Sequence, residues 1–216
     1  MLEEYREQLP EDNIFMYCNK VNKKAFTILT NEYNFRYLYK TELEIWKSLP
    51  FDSNYSETHE YFMTDYYNRV YKIRENEFYN KCIVVCNKNN EIIGSCFLWK
   101  LDEKINTLHW LKIKKEYEGK EIGRALISKV LENARGTDLP IFLHTQPGSY
   151  RAIKLYGDFG FKIITNEKIG NRINNIDKCK TILRDNMPKK YFKKIKFTRV
   201  SKKYLYIFKE KNLNDF

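Results

Sequence analysis

The stretch YEGKEIGRALISKVLENAR, Tyr117 to Arg135, decides the fold. Gly119 and Gly123 lie at its start, and apolar residues then recur at helical spacing until Gly136 follows the last turn. Before it, Ile105 to Ile113 forms a β-branched and aromatic run that predicts a strand. A strand, a glycine turn and a helix in this order direct free backbone N–H groups along the helix axis, where an anion is stabilised.

Length and composition predict one well-cored domain. The chain has 216 residues, which suits one domain better than two. It contains no run of about 18 apolar residues, so we expect no membrane-spanning helix. The first ten residues, MLEEYREQLP, are polar and acidic and do not resemble a signal peptide, so we expect a cytoplasmic protein.

Cysteine and histidine give no sign of a disulfide framework or a metal site. The cysteine count is five, an odd number, which argues against paired disulfides. Cys82 and Cys86 would lie on one face of a strand, but about 13 Å apart, too far to share a metal. Histidine occurs only at His59, His109 and His144, without ligand-type spacing. We therefore predict no metal, and cysteines buried as small apolar side chains.

The net charge of +11 is concentrated in one segment. Ile176 to Phe216 holds 13 Lys and Arg against 4 Asp and Glu, a net charge of +9. Such a segment can contact nucleic acid or another polyanion. The alternative is composition, because Lys, Asn, Ile and Tyr are frequent throughout and arginine, the usual base-reading residue, is scarce. We favour composition, so nucleic acid is the less favoured partner.

Hydrophobic periodicity predicts a single mixed α/β domain without repeats or linkers. Strands are predicted over Phe35–Thr41, Lys81–Cys86, Glu91–Lys100, Ile105–Ile113, Pro140–Thr145 and Phe161–Thr165. Helices are predicted over Glu42–Asp52, after the capping residue Ser56, over residues 122–135 and over Ser149–Gly160. Residues 1–34 show little periodicity and are interpreted as an N-terminal arm. Residues 174–216 are predicted to form two basic helices and a closing strand, Lys203–Lys209.

Two motifs follow one another within residues 106–164: EGKEIGRAL, Glu118 to Leu126, and SYRAIKLYGDFGF, Ser149 to Phe161. In this order they resemble the two signatures of the GNAT superfamily of N-acetyltransferases. In the family the first is an Arg/Gln-x-x-Gly-x-Gly/Ala turn, and the second is an Asn-x-x-Ala-x-x-Leu-Tyr helix followed by Gly-Phe. The resemblance implies a twisted, mixed, mostly antiparallel sheet of about six to seven strands flanked by helices. It also implies acetyl-CoA as cosubstrate, with no metal.

Three residues depart from the family's signatures. Glu118 replaces Arg or Gln, Glu121 replaces the middle glycine, and Ser149 replaces Asn. The two carboxylates would repel a pyrophosphate unless their side chains point to solvent. The backbone donors of residues 119–124 survive any change of side chain, and Lys120 and Arg124 supply compensating positive charge.

The resemblance implies a set of cofactor-binding residues. The fourth-strand backbone would bind the acetyl group through the N–H of Leu111 and the pantetheine chain through Ile113. The turn and the second helix would hold the rest of the cofactor. This set is Leu111, Ile113, Glu118, Gly119, Lys120, Glu121, Ile122, Gly123, Arg124, Ser149 and Ala152.

The resemblance also implies catalytic residues. Tyr156 is the candidate acid that protonates the departing thiolate, although its position on an apolar helix face also suits core packing. His144 is the first candidate base, because an imidazole with an ordinary pKa accepts a proton near neutral pH. His109 is the rival base. For both histidines, a hydrogen-bonded structural position is the alternative.

The sequence therefore predicts direct acetyl transfer from acetyl-CoA to a primary amine of a small molecule, peptide or protein. Two alternatives are a non-catalytic acyl-CoA-binding module, suggested by the two glutamates, and an acetyltransferase acting on aminoacyl-tRNA through the basic segment. The acceptor and the oligomeric state are not predicted. A cluster of aromatic residues before the sheet would line an amine pocket or form plain core: Tyr61, Phe62, Tyr66, Tyr67 and Tyr71.

Overall fold

The computed structural model describes residues 12–132, 134 and 136–216. The first eleven residues of the predicted N-terminal arm lie outside this range. The strands are β1 Ile14–Cys18, β2 Asn34–Tyr37, β3 Ile83–Cys86, β4 Ile92–Asp102, β5 Ile105–Ile113, β6 Ile141–Thr145, β7 Lys162–Ile164, β8 Lys168–Ile169, β9 Arg172–Ile173 and β10 Phe197–Thr198. The helices are α1 Leu43–Ser48, α2 Glu57–Val70, α3 Glu75–Lys81, α4 Ile122–Glu132, α5 Tyr150–Asp158, α6 Ile176–Asn186, α7 Lys189–Phe192 and α8 Lys202–Glu210.

A central sheet organises the chain. Its eight strands lie in the order β10-β7-β1-β6-β5-β4-β3-β2, while β8 and β9 form a separate hairpin. Neighbouring strands are antiparallel except for two parallel pairs, β5 with β6 and β10 with β7. The predicted mixed, mostly antiparallel sheet is therefore confirmed, with more strands than expected because β1 and β10 were not predicted.

Each face of the sheet is covered by helices. The face that carries α4 to α7 contributes a core of residues such as Leu126, Ile153 and Phe159. The opposite face carries α1 to α3 over one half, around Trp46 and Phe97, and α8 over the other half. Both faces of the central strands are consequently buried, and all five cysteines lie buried as free thiols, as predicted.

Two predictions for the ends of the sequence were wrong. Ile14–Cys18 is not part of an arm but a strand between β6 and β7. It shows no alternation, because both of its faces are buried and successive residues are all apolar. Lys202–Glu210 is a helix rather than a closing strand. Its segment KYLYIFK is rich in aromatic and β-branched residues, which favours a strand locally, but Ser201 stands at the N-cap and the buried Phe208 packs against Phe142, with ring centroids 5.0 Å apart.

Most of the remaining predicted elements agree with the structure within two or three residues. Ile105–Ile113 is observed with the predicted bounds, and Ser56 is the N-cap of α2. Helix α3 and the β8–β9 hairpin were not predicted. Within the described part of the chain, none of the helices is long and apolar enough to cross a membrane.

The helical form of residues 202–210 makes a prediction that separates it from a strand. A strand would place Tyr206 and Phe208 on the same face, whereas in the helix Tyr206 is 64% exposed and Phe208 is fully buried. Phe208→Ala should lower the free energy of unfolding by about 3 to 5 kcal/mol. Tyr206→Ala should change it by less than about 0.5 kcal/mol. Urea unfolding of both variants checks this, and similar losses in the two would contradict the helix.

Candidate active site

A gap opens in the middle of the sheet between β5 and β6. The two parallel strands pair only through Asn106 with Ile141 and Thr107 with Phe142. Strand β5 continues six residues further, to Ile113, and no strand of the described residues pairs with it on that side. Beyond Thr107, the edge of β5 therefore offers backbone groups to an extended ligand in the way that it would to another strand.

The direction of the backbone groups in β5 follows from one hydrogen bond. The N–H of Lys114 donates to the carbonyl of Ile93 on the β4 side, at 2.8 Å. Because successive residues of a strand direct their N–H groups to opposite edges, Ile113 and, two residues earlier, Leu111 direct theirs towards the gap. These are the two β5 residues for which the resemblance implies backbone contacts with the acyl group and the pantetheine chain.

A β-bulge lies on β5 at the start of the free edge. Phe97 pairs with His109, but Ser95 pairs with Lys112, so one extra residue is inserted on β5. The extra residue is accommodated at Trp110, whose backbone has a φ of 50°. A non-glycine residue in the left-handed region is strained, so other contacts must hold it there.

A chain of hydrogen bonds between buried side chains holds the bulge. Trp110 Nε1 donates to the hydroxyl of Tyr71 at 3.0 Å. The Tyr71 hydroxyl lies 2.5 Å from Nδ1 of His109, and Thr107 Oγ1 lies 2.6 Å from Nε2 of the same ring. Thr107 in turn donates to the carbonyl of Trp99 at 3.1 Å. The network thus links the last residue of β5 that pairs with β6 to the bulge.

The network fixes the tautomer of His109. The only proton on the Thr107 hydroxyl is donated to Trp99, so Nε2–H of His109 must donate to Thr107. Nδ1 is then the acceptor for the Tyr71 hydroxyl. Burial lowers the pKa of His109 to about 3, which agrees with a neutral ring. Both ring nitrogens are engaged within the core and the residue is 3% exposed, so an acceptor amine has no access to this imidazole. Its surroundings fit the structural alternative.

The glycine turn precedes α4 with the geometry of an anion site. Gly119 has a φ of 79°, and a Cβ added to it would meet no atom within 4 Å, so the turn is open on that side. At the helix start, the N–H of Ala125 donates a hydrogen bond to the carbonyl of Glu121 at 3.0 Å. The N–H groups of Ile122, Gly123 and Arg124 come before it and are directed out of the helix end. The residues present therefore fit a pyrophosphate bound by backbone donors.

Each of the two glutamates of the turn forms an ion pair with an arginine. Glu118 accepts from Arg151 of α5 at 2.9 Å. Glu121 has a side chain 71% exposed and pairs with Arg124 Nε at 2.7 Å. Both carboxylates are thus neutralised by a neighbouring guanidinium, and the open side of the turn faces less repulsion than the sequence suggests.

Arg124 does not provide free positive charge, contrary to the sequence-based expectation. Its guanidinium pairs with Glu121 and, at 2.6 Å, with Asp158, and it also donates to the carbonyl of Ala25. Although burial acts to raise it, the pKa of the Asp158 carboxyl is lowered by hydrogen bonds from Lys154 and then from Arg124. Arg124 therefore fastens the turn to the end of α5, and Lys120, whose ammonium lies 5.0 Å from the ring centroid of Tyr117, is the exposed cation of the turn.

The remaining residues predicted to bind the cofactor lie at the start of α5. Ser149 is the N-cap residue, and its N–H donates to the carbonyl of Gln146 at 3.0 Å. Ala152 lies one turn on and packs against the core of this face. The Glu118–Arg151 pair brings this helix start next to the glycine turn. Arg151 was not singled out from the sequence, because an exposed arginine in a helix carries no sign of its partner.

Tyr156 lies on the buried side of α5. It is 7% exposed and packs against Phe161, with ring centroids 5.9 Å apart. Burial raises its pKa, with a smaller contribution from Cys96 of β4. A raised pKa keeps the phenol protonated at neutral pH.

His144 lies on β6, opposite Phe15 of β1 in the strand register. Its Nε2 lies 2.9 Å from Oδ1 of Asn13, an oxygen that also accepts from Arg172. Because this amide oxygen is an acceptor, Nε2 carries the proton and Nδ1 carries the lone pair. Burial, and then the charge of Arg172, lower the pKa of His144 to about 3. The ring is therefore neutral at physiological pH and a weak base.

Residues distant in sequence form a wall on the α2 side, where Tyr66 lies beside Trp110 of the bulge with ring centroids 5.3 Å apart. The hydroxyl of Tyr66 donates to the carbonyl of Asp215 at 3.0 Å, and Arg69 pairs with the Asp215 carboxylate at 2.7 Å. Arg172 donates to the carbonyl of Phe216 at 2.6 Å. Of the aromatic residues before the sheet, Tyr66, Tyr67 and Tyr71 are buried core, whereas Tyr61 and Phe62 are exposed.

The family model of the acetyltransferase (GNAT) family matches residues 40–161, more than half of the chain. The chain belongs to this family. The matched region includes α1 to α5, the diverging strands and the glycine turn. No curated protein sequence matches the chain.

Solved structures of GNAT proteins resemble the fold at low sequence identity. A GNAT acetyltransferase from Colwellia psychrerythraea has a TM-score of 0.51 at 15% identity, over 70% of this chain and 53% of that one. A GCN5-related N-acetyltransferase from Sphaerobacter thermophilus has a TM-score of 0.48 at 14% identity, over 74% and 52%. A GNAT acetyltransferase from Staphylococcus aureus has 0.44 at 16%, over 58% and 81%. The chain thus spans about half the length of the first two, and the likeness extends to the fold alone.

The backbone of the turn predicts the effect of replacing Glu121. This residue has a φ of 58°, where the family carries glycine, and the left-handed conformation costs a residue with a Cβ about 1 kcal/mol. Glu121→Gly should raise the free energy of unfolding by about 0.5 to 1 kcal/mol, because the strain is relieved. Glu121→Gln, which removes the charge and keeps the strain, should change it by less than about 0.5 kcal/mol. Equal gains in the two variants, measured by urea unfolding, would assign the effect to charge instead.

The buried histidines predict a loss of stability on acidification. His109 and His144 stay neutral in the folded chain down to about pH 3 but protonate in the unfolded chain below about pH 6.5. Stability is therefore fully present above pH 6.5 and falls as the pH drops below it. Between pH 7.5 and 5 the loss should be about 2 kcal/mol for each histidine.

Urea unfolding at these two pH values measures the loss, in a range above the protonation of most carboxylates. His144→Gln keeps a hydrogen-bonding side chain and removes one titrating ring. The variant should lose about 2 kcal/mol less than the wild type over the same interval. An identical pH dependence would mean that His144 titrates in the folded chain as it does in water.

Proposed function

We propose that the protein is an N-acetyltransferase that transfers the acetyl group of acetyl-CoA directly to a primary amine. The observation that carries the proposal is the gap between β5 and β6, with a strand edge on one side and an open glycine turn at its end. The edge suits an extended chain that pairs like a strand, and the turn suits a diphosphate. Acetyl-CoA combines both features, because its pantetheine chain is extended and its pyrophosphate is a diphosphate.

The residues of β5 and the turn would bind the cosubstrate. The N–H of Leu111 would donate to the thioester carbonyl and stabilise the negative charge that develops on its oxygen. Ile113 would pair with the pantetheine chain. The N–H groups of residues 119–124 would bind the pyrophosphate, with Lys120 as the nearby exposed cation. Bound in this way, acetyl-CoA supplies an activated acetyl group.

In the transfer, the neutral amine nitrogen forms a bond to the carbonyl carbon and the carbon–sulfur bond breaks. The electron pair of that bond leaves on sulfur. Tyr156 is protonated at neutral pH and would donate a hydrogen bond, and then its proton, to this thiolate. The raised pKa makes it a weaker acid than an exposed phenol, so stabilisation of the thiolate by the hydrogen bond is the larger part of its proposed role.

The amine must lose a proton before or during the attack. His109 has both ring nitrogens engaged in the core, so we do not propose it as the base. His144 has a free lone pair at Nδ1, but a pKa of about 3 makes it too weak to retain a proton at neutral pH. We propose that His144 orients the amine or a water molecule, and that water carries the proton away.

Release of free CoA from acetyl-CoA in the presence of an amine panel tests the proposal. The panel should contain polyamines, aminoglycosides, amino acid amides and peptides with free N-termini. Amine-dependent release, accompanied by an acetylated product detected by mass spectrometry, is the expected outcome. Binding of acetyl-CoA by calorimetry, without release across the panel, would instead favour the non-catalytic acyl-CoA-binding module.

Tyr156→Phe tests the role of the hydroxyl. Turnover should fall by about 10²-fold or more, while the dissociation constant of acetyl-CoA should change by less than about twofold, because the phenol acts on the leaving group. Tyr150→Phe is the matched control on the same helix and should retain turnover. If Tyr156→Phe lost no more activity than Tyr150→Phe, the hydroxyl of Tyr156 would have only a packing role.

A further inference from the structure

The segment from Lys189 to Lys203 concentrates positive charge to a degree that composition does not explain. It holds eight Lys and Arg and no Asp or Glu. By contrast, residues 1–175 carry 26 Lys and Arg against 24 Asp and Glu, which is close to balance. The eight cations form the surface that we name the basic edge: Lys189, Lys190, Lys193, Lys194, Lys196, Arg199, Lys202 and Lys203.

The side chains of the basic edge are exposed, and none has an ion-pair partner among the residues that the structure describes. Every one of its eight residues is exposed. In the described part of the chain, none of them is recorded in an ion pair, whereas nearby lysines are paired, Lys178 with Asp12 and Lys211 with Asp102. Unpaired, exposed cations repel one another, and a bound polyanion would relieve this repulsion.

The basic edge continues around one border of the sheet. Helix α7 packs on the face of α4 and α5, through Tyr191 and Phe192. Strand β10 lies at the border of the eight-stranded sheet, and α8 packs on the opposite face. A flat bilayer would meet only part of such a surface, whereas an elongated, flexible polyanion can follow it from one face to the other.

Exposed aromatic rings accompany the cations. Tyr206 is 64% exposed, and Lys202, Lys203 and Lys209 lie four residues before, three before and three after it on α8. These spacings place the three lysines on neighbouring positions of the helix surface around Tyr206. Phe197 of β10 is 40% exposed, and Lys180 lies over its ring at 5.1 Å. Rings of this kind, set between phosphate-binding cations, stack on unpaired bases.

We propose that the basic edge binds single-stranded nucleic acid, with lysines on phosphates and with Tyr206 and Phe197 stacked on bases. Seven of its eight cations are lysines, which bind phosphates as point charges without reading bases, so the binding should be independent of sequence. This interaction goes beyond acetyl transfer and does not depend on it.

Fluorescence anisotropy with a labelled single-stranded RNA of about 20 nucleotides tests the proposal over about 50 to 200 mM salt. One variant of the full chain replaces Lys193, Lys194, Lys196 and Lys202 by Gln. The matched control replaces four exposed lysines outside the basic edge, Lys20, Lys23, Lys24 and Lys72, and changes the net charge equally. Thermal unfolding verifies that both variants are folded.

The edge variant should bind the RNA at least about tenfold more weakly, and its slope of log affinity against log salt should shrink by about 3. The control should retain wild-type binding. Tyr206→Ala should weaken binding to the single strand by about fivefold or more and leave binding to a hairpin duplex of equal length within about twofold.

Three outcomes would overturn the proposal. The first is wild-type protein that does not bind the RNA at the lowest salt. The second is an equal loss in the edge and control variants, which would reflect net charge alone. The third is binding to phosphatidylserine vesicles without binding to RNA, which would assign the surface to a membrane. An unchanged single-strand affinity in Tyr206→Ala would remove base stacking and, with it, the preference for single strands.

Discussion

The departure of β5 from β6 is the constraint on which the rest of the site depends. If the two strands paired along their whole length, the backbone groups of Leu111 and Ile113 would be consumed by the sheet. Pairing ends at Thr107, and the bulge at Trp110 follows three residues later. Because a bulge bends its strand and increases the local twist, it carries the rest of β5 away from β6.

The bulge costs free energy, and hydrogen bonds to side chains on the α2 side of the sheet offset this cost. Trp110 adopts a φ of 50°, and its indole is held by Tyr71, which in turn binds His109. Every polar group of this hydrogen-bond network has a partner inside an aromatic core. The network is therefore directional and has one arrangement. The histidine thus contributes to the shape of the gap rather than to proton transfer. Through Tyr71, which follows α2, the helix also stabilises the backbone of β5.

The glycine turn keeps the backbone geometry of an anion site although its side chains differ from the family's signature. Glu121 takes the backbone conformation that glycine takes elsewhere, and Glu118 occupies the place of a cation. Their carboxylates are paired with Arg124 and Arg151, so both negative charges are balanced by neighbouring guanidinium groups. What remains for the ligand is the backbone, which no substitution of these side chains removes.

Local patterns sufficed where the sequence periodicity and the tertiary environment agree. Ile105–Ile113 and the helix after the glycine turn are strongly periodic, and both were predicted close to their observed bounds. Ile14–Cys18 was missed because a strand buried on both faces does not alternate. The partners of the candidate site residues could not be predicted, since Asn13 and His144 are 131 positions apart and meet only in the folded sheet.

Residues 202–216 show why the wall on the α2 side could not be predicted from the sequence. Tyr66 and Arg69 of α2 bind Asp215, and Arg172 binds the carbonyl of Phe216. These contacts require that α8 first packs by Phe208 beneath the sheet and then leads the chain back to α2. A strand over the same residues would direct the chain away from α2, and the contacts of Asp215 and Phe216 would not form. The contacts of Asp215 and Phe216 therefore depend on a helix whose local sequence favours a strand, and they are determined by tertiary packing.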